Sequence, residues 1–158
     1  MIEFRKITHD NLNECVKLKV TKEQENFVGS NLDTLAETYV EISNGGHATP
    51  YVIYADDVMV GFIIYCYYHE SAVFENNCYH IWRIMFDAKH QGKGYGKQAI
   101  EKIIAEIKTF PYGQSKGIYM SYEPENATSK HLFHSFGFVD TDKKFADDDP
   151  EIIARLSI

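Results

Sequence analysis

Between His90 and Lys97 the chain reads His-Gln-Gly-Lys-Gly-Tyr-Gly-Lys, with glycine at three alternate positions. Glycine tolerates backbone conformations that turn successive N–H groups toward one point. The run follows a strand-like stretch, His80–Phe86, and opens into a helix-like one, Lys97–Lys108. Main-chain donors converging at the positive end of a helix suit a diphosphate. Two familiar phosphate loops do not fit. A Walker loop places four residues between its first Gly and Gly-Lys, then Ser or Thr. Here Gly92 and Gly96 are three apart in that count, and Gln98 follows Lys97. A dinucleotide fingerprint needs a third glycine where Lys97 stands. What the spacing satisfies is Gln-x-x-Gly-x-Gly, through Gln91, Gly94 and Gly96.

The elements that must hold this loop follow from periodicity. Ile2–Ile7 alternates as a strand, and Thr8 or Asp10 caps a helix running to about Val20. Residues 21–30 are polar and irregular. Leu32, Leu35, Ala36, Tyr39 and Val40 recur at three and four, an amphipathic helix ended by Asn44-Gly45-Gly46. Strands at 51–54 and 58–68 flank an Asp56-Asp57 turn, and Glu75-Asn76-Asn77 turns the chain into a strand from Cys78 to Phe86. Ile100, Ile103, Ile104 and Ile107 mark the buried stripe of the helix after the glycines. Gly117–Tyr122 is a strand, Asn126 caps a helix to about Phe136, and short strands near 138–142 and 151–157 close the chain. The predicted order is β-α-α-β-β-β-α-β-α-β-β.

Loop and element order together resemble the GCN5-related N-acetyltransferases (the GNAT family). Asn126-x6-Phe133-x3-Gly137-Phe138 also looks like the family's closing helix and its Gly-Phe ending. The resemblance covers the whole chain. It implies one domain, residues 1–158, of α/β class: a mixed, mostly antiparallel sheet of about seven strands flanked by four helices. It implies acetyl-CoA as cosubstrate, no metal, and acetyl transfer to a primary amine by direct attack in a ternary complex. Backbone groups of Gln91, Gly92, Lys93, Gly94, Tyr95, Gly96 and Lys97 are then expected to hold the pyrophosphate. Ile84, Met85 and Phe86 match the strand whose main chain runs beside the pantetheine arm, and Asn126 matches an Asn that helps hold that arm.

The same resemblance assigns catalytic positions. His80 stands where histone-type members carry a glutamate base; a packed strand histidine, with ordered water taking the proton, is the competing reading. Phe133 stands where many members carry a tyrosine that protonates the leaving thiolate. Phenylalanine cannot donate, so Ser129, one turn back on the same helix face, or Tyr122 replaces it, or the thiolate leaves unaided. The segment Leu18–Val28, with Asn31 and Leu35-Ala36 beyond it, resembles bacterial spermine/spermidine acetyltransferases. That resemblance places Gln24, Glu25, Phe27 and Tyr39 around the acceptor. Polyamines lead as the substrate class. Another small amine (an aminoglycoside, an amino acid or an amino sugar), a protein amine, and a non-catalytic acyl-CoA sensor are the alternatives.

Composition excludes other classes. The formal net charge is −7 with no basic run, which argues against nucleic acid. Eleven Tyr and 10 Phe support a packed core rather than disorder. Three cysteines without a C-x-x-C pair define neither a disulfide framework nor a zinc site, and His131 with His134 lacks a third ligand. No signal-peptide pattern or membrane-length apolar run is visible, so a cytoplasmic setting and no membrane partner are expected. Aromatic-rich strands are compatible with a homodimer.

Overall fold

The computed structural model describes residues 1–158. Seven strands form one sheet: β1 Ile2–Lys6, β2 His47–Ala55, β3 Val58–Tyr68, β4 Cys78–Phe86, β5 Gly117–Tyr122, β6 Val139–Asp140 and β7 Ile152–Ser157. Their order is β1-β2-β3-β4-β5-β7-β6, antiparallel throughout except for β4 beside β5. Four helices accompany them: α1 Leu12–Cys15, α2 Asn31–Ser43, α3 Tyr95–Ile107 and α4 Ala127–His134. This is the expected element order. The β2–β3 turn falls at Asp56-Asp57, both at positive φ (48° and 65°), as a two-residue hairpin requires.

One irregularity creates the site. Along β3 and β4 the pairing jumps from Tyr65↔Ile81 to Ile64↔Arg83, leaving Trp82 as an extra residue. Such a bulge bends and twists its strand. β4 pairs with β5 only through Tyr79, His80 and Ile81; Trp82–Phe86 have no partner there. The bulge also inverts side-chain parity. Tyr79 and Ile81 face the cluster under α3 and α4, and so do Ile84 and Phe86, three and five residues beyond Ile81. Trp82 and Met85 join the cluster on the opposite face.

The largest core lies between the sheet and α3, whose Ile100, Ile103, Ile104 and Ile107 are all buried, as their spacing predicts. Each such side chain contributes about 1.5–3 kcal/mol through burial. Cys15, Cys66 and Cys78 are free and buried.

Two local expectations are corrected. The first helix does not reach Val20; it ends at Cys15. Lys19 N–H donates to the Asp87 carboxylate at 3.1 Å, and Lys19 C=O accepts from Ala88 N–H at 2.8 Å. These long-range bonds draw residues 18–20 out straight beside the end of β4. In α2 only Leu35 of the expected apolar stripe packs against the core. Leu32, Tyr39, Val40 and Ile42 are exposed, whereas Asn31, Thr34 and Thr38 are buried. Threonine can be buried here because its hydroxyl bonds back along the helix: Thr34 to Ser30 C=O, and Thr38 to Thr34 C=O. Asn31 Nδ2 is satisfied by Cys15 C=O at 2.9 Å. No helix is long and apolar enough to cross a membrane.

Candidate active site

A groove of about 210 Å³ runs between the end of β4, the glycine loop and the start of α4. Gly92 and Gly94 sit at φ +75° and +78°, and a Cβ at either would meet open space. Glycine is therefore needed for backbone conformation, not for room. Gly94 is the N-cap of α3, directly before its first residue, Tyr95. The next N–H groups, at Tyr95, Gly96 and Lys97, precede the first intrahelical bond, Gln98 N–H to Gly94 C=O. They are free for an anion. A Cβ at Gly96 would come within 3.3 Å of Leu132, so this glycine also lets α4 approach α3 closely.

Gln91 serves the groove through its side chain. Its Nε2 donates to Phe86 C=O at 2.9 Å and to Gln24 Oε1 at 2.7 Å. Gln24 ends a single 3-10 turn, Lys22–Gln24, and lines this groove. Lys93 and Lys97 are exposed. The main-chain edge of Trp82–Phe86 that faces away from β3 is left unpaired by the splay. An extended, amide-bearing arm fits such an edge, and a diphosphate fits the glycine loop, so the residues present suit coenzyme A.

A second cavity of about 400 Å³ opens on the other side of the splay. Phe27, Val28, Ile84, Asn126, Ser129 and Phe133 line both spaces and mark their junction. Asn126 caps α4, its Oδ1 accepting from Ser129 N–H at 3.0 Å. Ser129 is half-buried, one turn before Phe133 on the same helix face; it lines both spaces, and its hydroxyl has no bond inside the protein.

The other expected residues are placed as follows. The Tyr122 ring lines the second cavity, but its hydroxyl donates to Asp140 Oδ1 at 2.7 Å, an atom that also meets His134 Nε2 at 2.7 Å. Burial, then the bond to Asp140, pushes the Tyr122 phenol up. His80 lines the same cavity at 4% exposure, and burial pushes its imidazole down to about 3. Glu25 borders a separate depression with Val16, Lys19 and Asn31. Tyr39, 73% exposed, stands on the outer face of α2; the structure brings neither it nor Glu25 to the junction.

Sequence reasoning missed Arg83 and Glu123, together with the rings Tyr68, Phe74 and Phe145, and read Glu151 with Asp147, Asp148 and Asp149 as a solvated acidic loop; all six of Arg83, Glu123, Glu151 and these rings line the second cavity. Burial first, then the charges of Glu151, Glu125 and Asp149, raise the Glu123 carboxyl. Burial lowers the Arg83 guanidinium, which donates to Gly29 C=O and lies in the field of Glu37 and Asp33. A usable signal existed for Glu123: it directly follows β5, where strand ends at a splay present their residues to a ligand. Phe74 and Phe145 lie in loops, where no periodicity marks them.

A helix N-terminus turned by glycines, beside a strand peeled from its parallel neighbour, defines a transferase that lays a long phosphorylated donor against a second substrate cavity. Residues 16–138 match the model of the acetyltransferase (GNAT) family. The chain belongs to that family and is an acetyl-CoA-dependent N-acetyltransferase. It is similar to the spermine/spermidine N(1)-acetyltransferase of Bacillus subtilis strain 168, 26% identical over 139 residues and covering 87% of each chain. Its fold is that of the aminoglycoside acetyltransferase AAC(6')-Ib in complex with coenzyme A, at a TM-score of 0.77, 16% identity, and coverage of 99% of this chain and 95% of that one. The spermidine N-acetyltransferase of Vibrio cholerae in complex with CoA and spermine aligns at a TM-score of 0.68 and 18% identity, covering 99% and 94%.

Proposed function

We propose that this enzyme acetylates a primary amine of a small polyamine, such as spermidine or spermine, by direct attack in a ternary complex. The observation that carries the reading is the charge of the acceptor cavity. Two carboxylates line it, and the Glu123 carboxyl is raised by burial and by other acids with no cation among its causes. A bound ammonium relieves that repulsion. The resemblance to a polyamine acetyltransferase over most of the chain points the same way.

Acetyl-CoA supplies the activated acyl group. The chain's own residues do the rest. Gly92 to Lys97 and the free edge of β4 orient the donor, with Asn126 at the start of α4 flanking the arm. The junction between Ile84, Ser129 and Phe133 excludes bulk water from the thioester. An alkylammonium has a pKa of about 10 and must lose its proton before attack. His80, held at about 3, is a weak acceptor near neutrality, so that proton passes to water. Ser129 is the hydroxyl placed to relay a proton from water to the departing thiolate, taking one from water as it gives its own; Tyr122 is engaged with Asp140.

Arg83 favours a second reading. A guanidinium in the same cavity pairs with carboxylates, so an amine that also carries one, such as an amino acid, is the competing acceptor. Thiol release from acetyl-CoA with spermidine, an aminoglycoside, diamino acids and a basic peptide separates the two. Spermidine is expected to show the highest kcat/KM. A diamino acid tenfold better than spermidine overturns the polyamine assignment.

A further inference from the structure

β5 and β7 pair so that Met120 faces Ala154, Ser121 faces Ile153 and Tyr122 faces Ile152. One step further along the same register, Glu123 faces Glu151. Like charges directly opposite each other repel, so this arrangement costs stability. β5 also runs beside β4, with His80 next to Tyr119 and Ile81 next to Met120. Carried on past the bulge, that register sets Glu123 level with Ile84 and Met85, four or five residues beyond His80. Ile84 lines the junction of donor groove and acceptor cavity. The main chain fixes Glu123 there too: its C=O accepts from N–H of Asn126, the cap of α4, at 2.9 Å. Both glutamates are half-buried and line the acceptor cavity. Glu151 bonds through its N–H, to Asp149 Oδ1 at 2.9 Å. Neither carboxylate has a partner inside the protein.

An alkylammonium at the junction must lose a proton, and His80 is buried far along the strand from it. We propose that Glu123 is the catalytic base, taking that proton through one water at the mouth of the splay. Glu151 acts through Glu123: its facing charge makes protonation of the neighbour easier. Burial and the charges of Glu151, Glu125 and Asp149 all raise the Glu123 carboxyl, toward the range where a base works best. The other titratable groups of the cavity do not offset this. Arg83 is held by Gly29 C=O in the field of Glu37, Asp33 and Glu151; Tyr122 is bonded to Asp140, and His80 is neutral. Residues 27–28 and α4 line the cavity with Phe27, Val28, Asn126, Ser129 and Phe133, which carry no charge. After one proton has gone to Glu123, the neutral nitrogen attacks the thioester carbonyl and the C–N bond forms. As the C–S bond breaks, the second nitrogen proton passes through water and Ser129 to the thiolate. Glu123 then returns its proton to solvent. This rests on acetyl transfer to an amine in this cavity, whichever amine that is.

Steady-state pH profiles on the full chain test the base, with spermidine and 1,2-diaminoethane as acceptors. Each ammonium of 1,2-diaminoethane acidifies the other, so near neutrality much of one nitrogen is already free. Wild-type kcat/KM for spermidine is expected to rise with pH through a limb above 4.5, the ordinary glutamate value. In Glu123→Gln that limb is lost, and kcat/KM at pH 7 falls at least about a hundredfold. The loss with 1,2-diaminoethane is much smaller. In Glu151→Gln the limb moves to lower pH, because the facing charge is gone. Calorimetry with CoA is expected to give wild-type affinity for both variants, which separates lost proton transfer from a lost fold. A limb that stays in place in Glu123→Gln, or equal losses with the two amines, overturns the base. Should Glu123→Gln fail to fold, Glu151→Gln decides, and an unmoved limb overturns the pair. If spermidine is not acetylated, the polyamine assignment falls. The diamino acid of the acceptor panel then takes its place in the same profiles, and the base stands or falls by the same limb.

Discussion

The side-chain amide of Gln91 donates to Oε1 of Gln24 at 2.7 Å, across 67 positions of sequence. The bond ties the first residue of the glycine loop to the turn between α1 and α2. A second bond from the same nitrogen to Phe86 C=O anchors that pair to the end of β4. Three segments that meet the donor are thus held by one amide. Gln24→Ala removes one of the two bonds, so the loop loses a brace without losing its own backbone. KM for acetyl-CoA is expected to rise about two- to tenfold, matching about 0.5–1.5 kcal/mol, with little change in kcat. Steady-state kinetics at saturating amine checks this; an unchanged KM removes the brace from the account.

Gly94 stands at φ +78°, directly before the first turn of α3, in space that a methyl group does not crowd. Gly94→Ala therefore isolates the conformational cost. It is expected to destabilise the fold by about 1–2 kcal/mol in urea titrations, the price of a left-handed backbone for an L-residue. CoA affinity should fall as well, because relaxation of φ turns the neighbouring N–H groups away from the diphosphate. A variant with full CoA affinity and normal stability would show that the loop reaches the same shape without glycine.

How far the sequence already carried these features depends on whether local or distant forces decide them. The glycine loop, the Asp56-Asp57 turn and the α3 stripe are local patterns, and all three appear where expected. Residues 16–20 carry a helix-compatible pattern, yet Lys19 is taken by Asp87 and Ala88, 68 and 69 positions away. In α2 the inward face is set by small threonines that satisfy their own hydroxyls, which hydrophobic periodicity cannot register. The acceptor cavity is less legible still. Its Phe74, Glu123, Phe145 and Glu151 come from separate loops and strand ends, brought together because the Trp82 bulge parts β4 from β5.

Burial holds His80 neutral, with its folded pKa near 3 against 6.5 in the unfolded chain. Between those values the unfolded state binds a proton that the native state refuses, so stability is full above pH 6.5 and declines as pH falls toward 3. The slope from this one group reaches at most about 1.4 kcal/mol per pH unit. His80→Phe is expected to flatten that acid limb in denaturation experiments at pH 4–7. In the free enzyme the acid limb of kcat/KM above pH 5 should be the same in His80→Gln as in wild type. A limb near 6.5 that disappears in His80→Gln would restore the imidazole as the catalytic base.

Ser129 and Phe133 share one face of α4 at the junction of donor groove and acceptor cavity. Phe133 is buried edge-on against Phe138, with ring centroids 5.5 Å apart, and its phenyl ring has no acidic hydrogen to give. The thiolate generated there leaves with a parent pKa of about 8.5, low enough that help from an acid matters only moderately. Ser129→Ala is therefore expected to lower kcat by about tenfold to a hundredfold, at or below the low end for general acids, with KM for acetyl-CoA nearly unchanged. Adding Phe133→Tyr places a phenol on the same helix face and should return part of the lost kcat. Steeper dependence of kcat on the leaving-group pKa in Ser129→Ala, measured with acyl donors of differing thiol acidity, would tie the loss to proton delivery. An unaltered kcat in Ser129→Ala would mean that the thiolate departs unaided, and Phe133→Tyr should then be silent too.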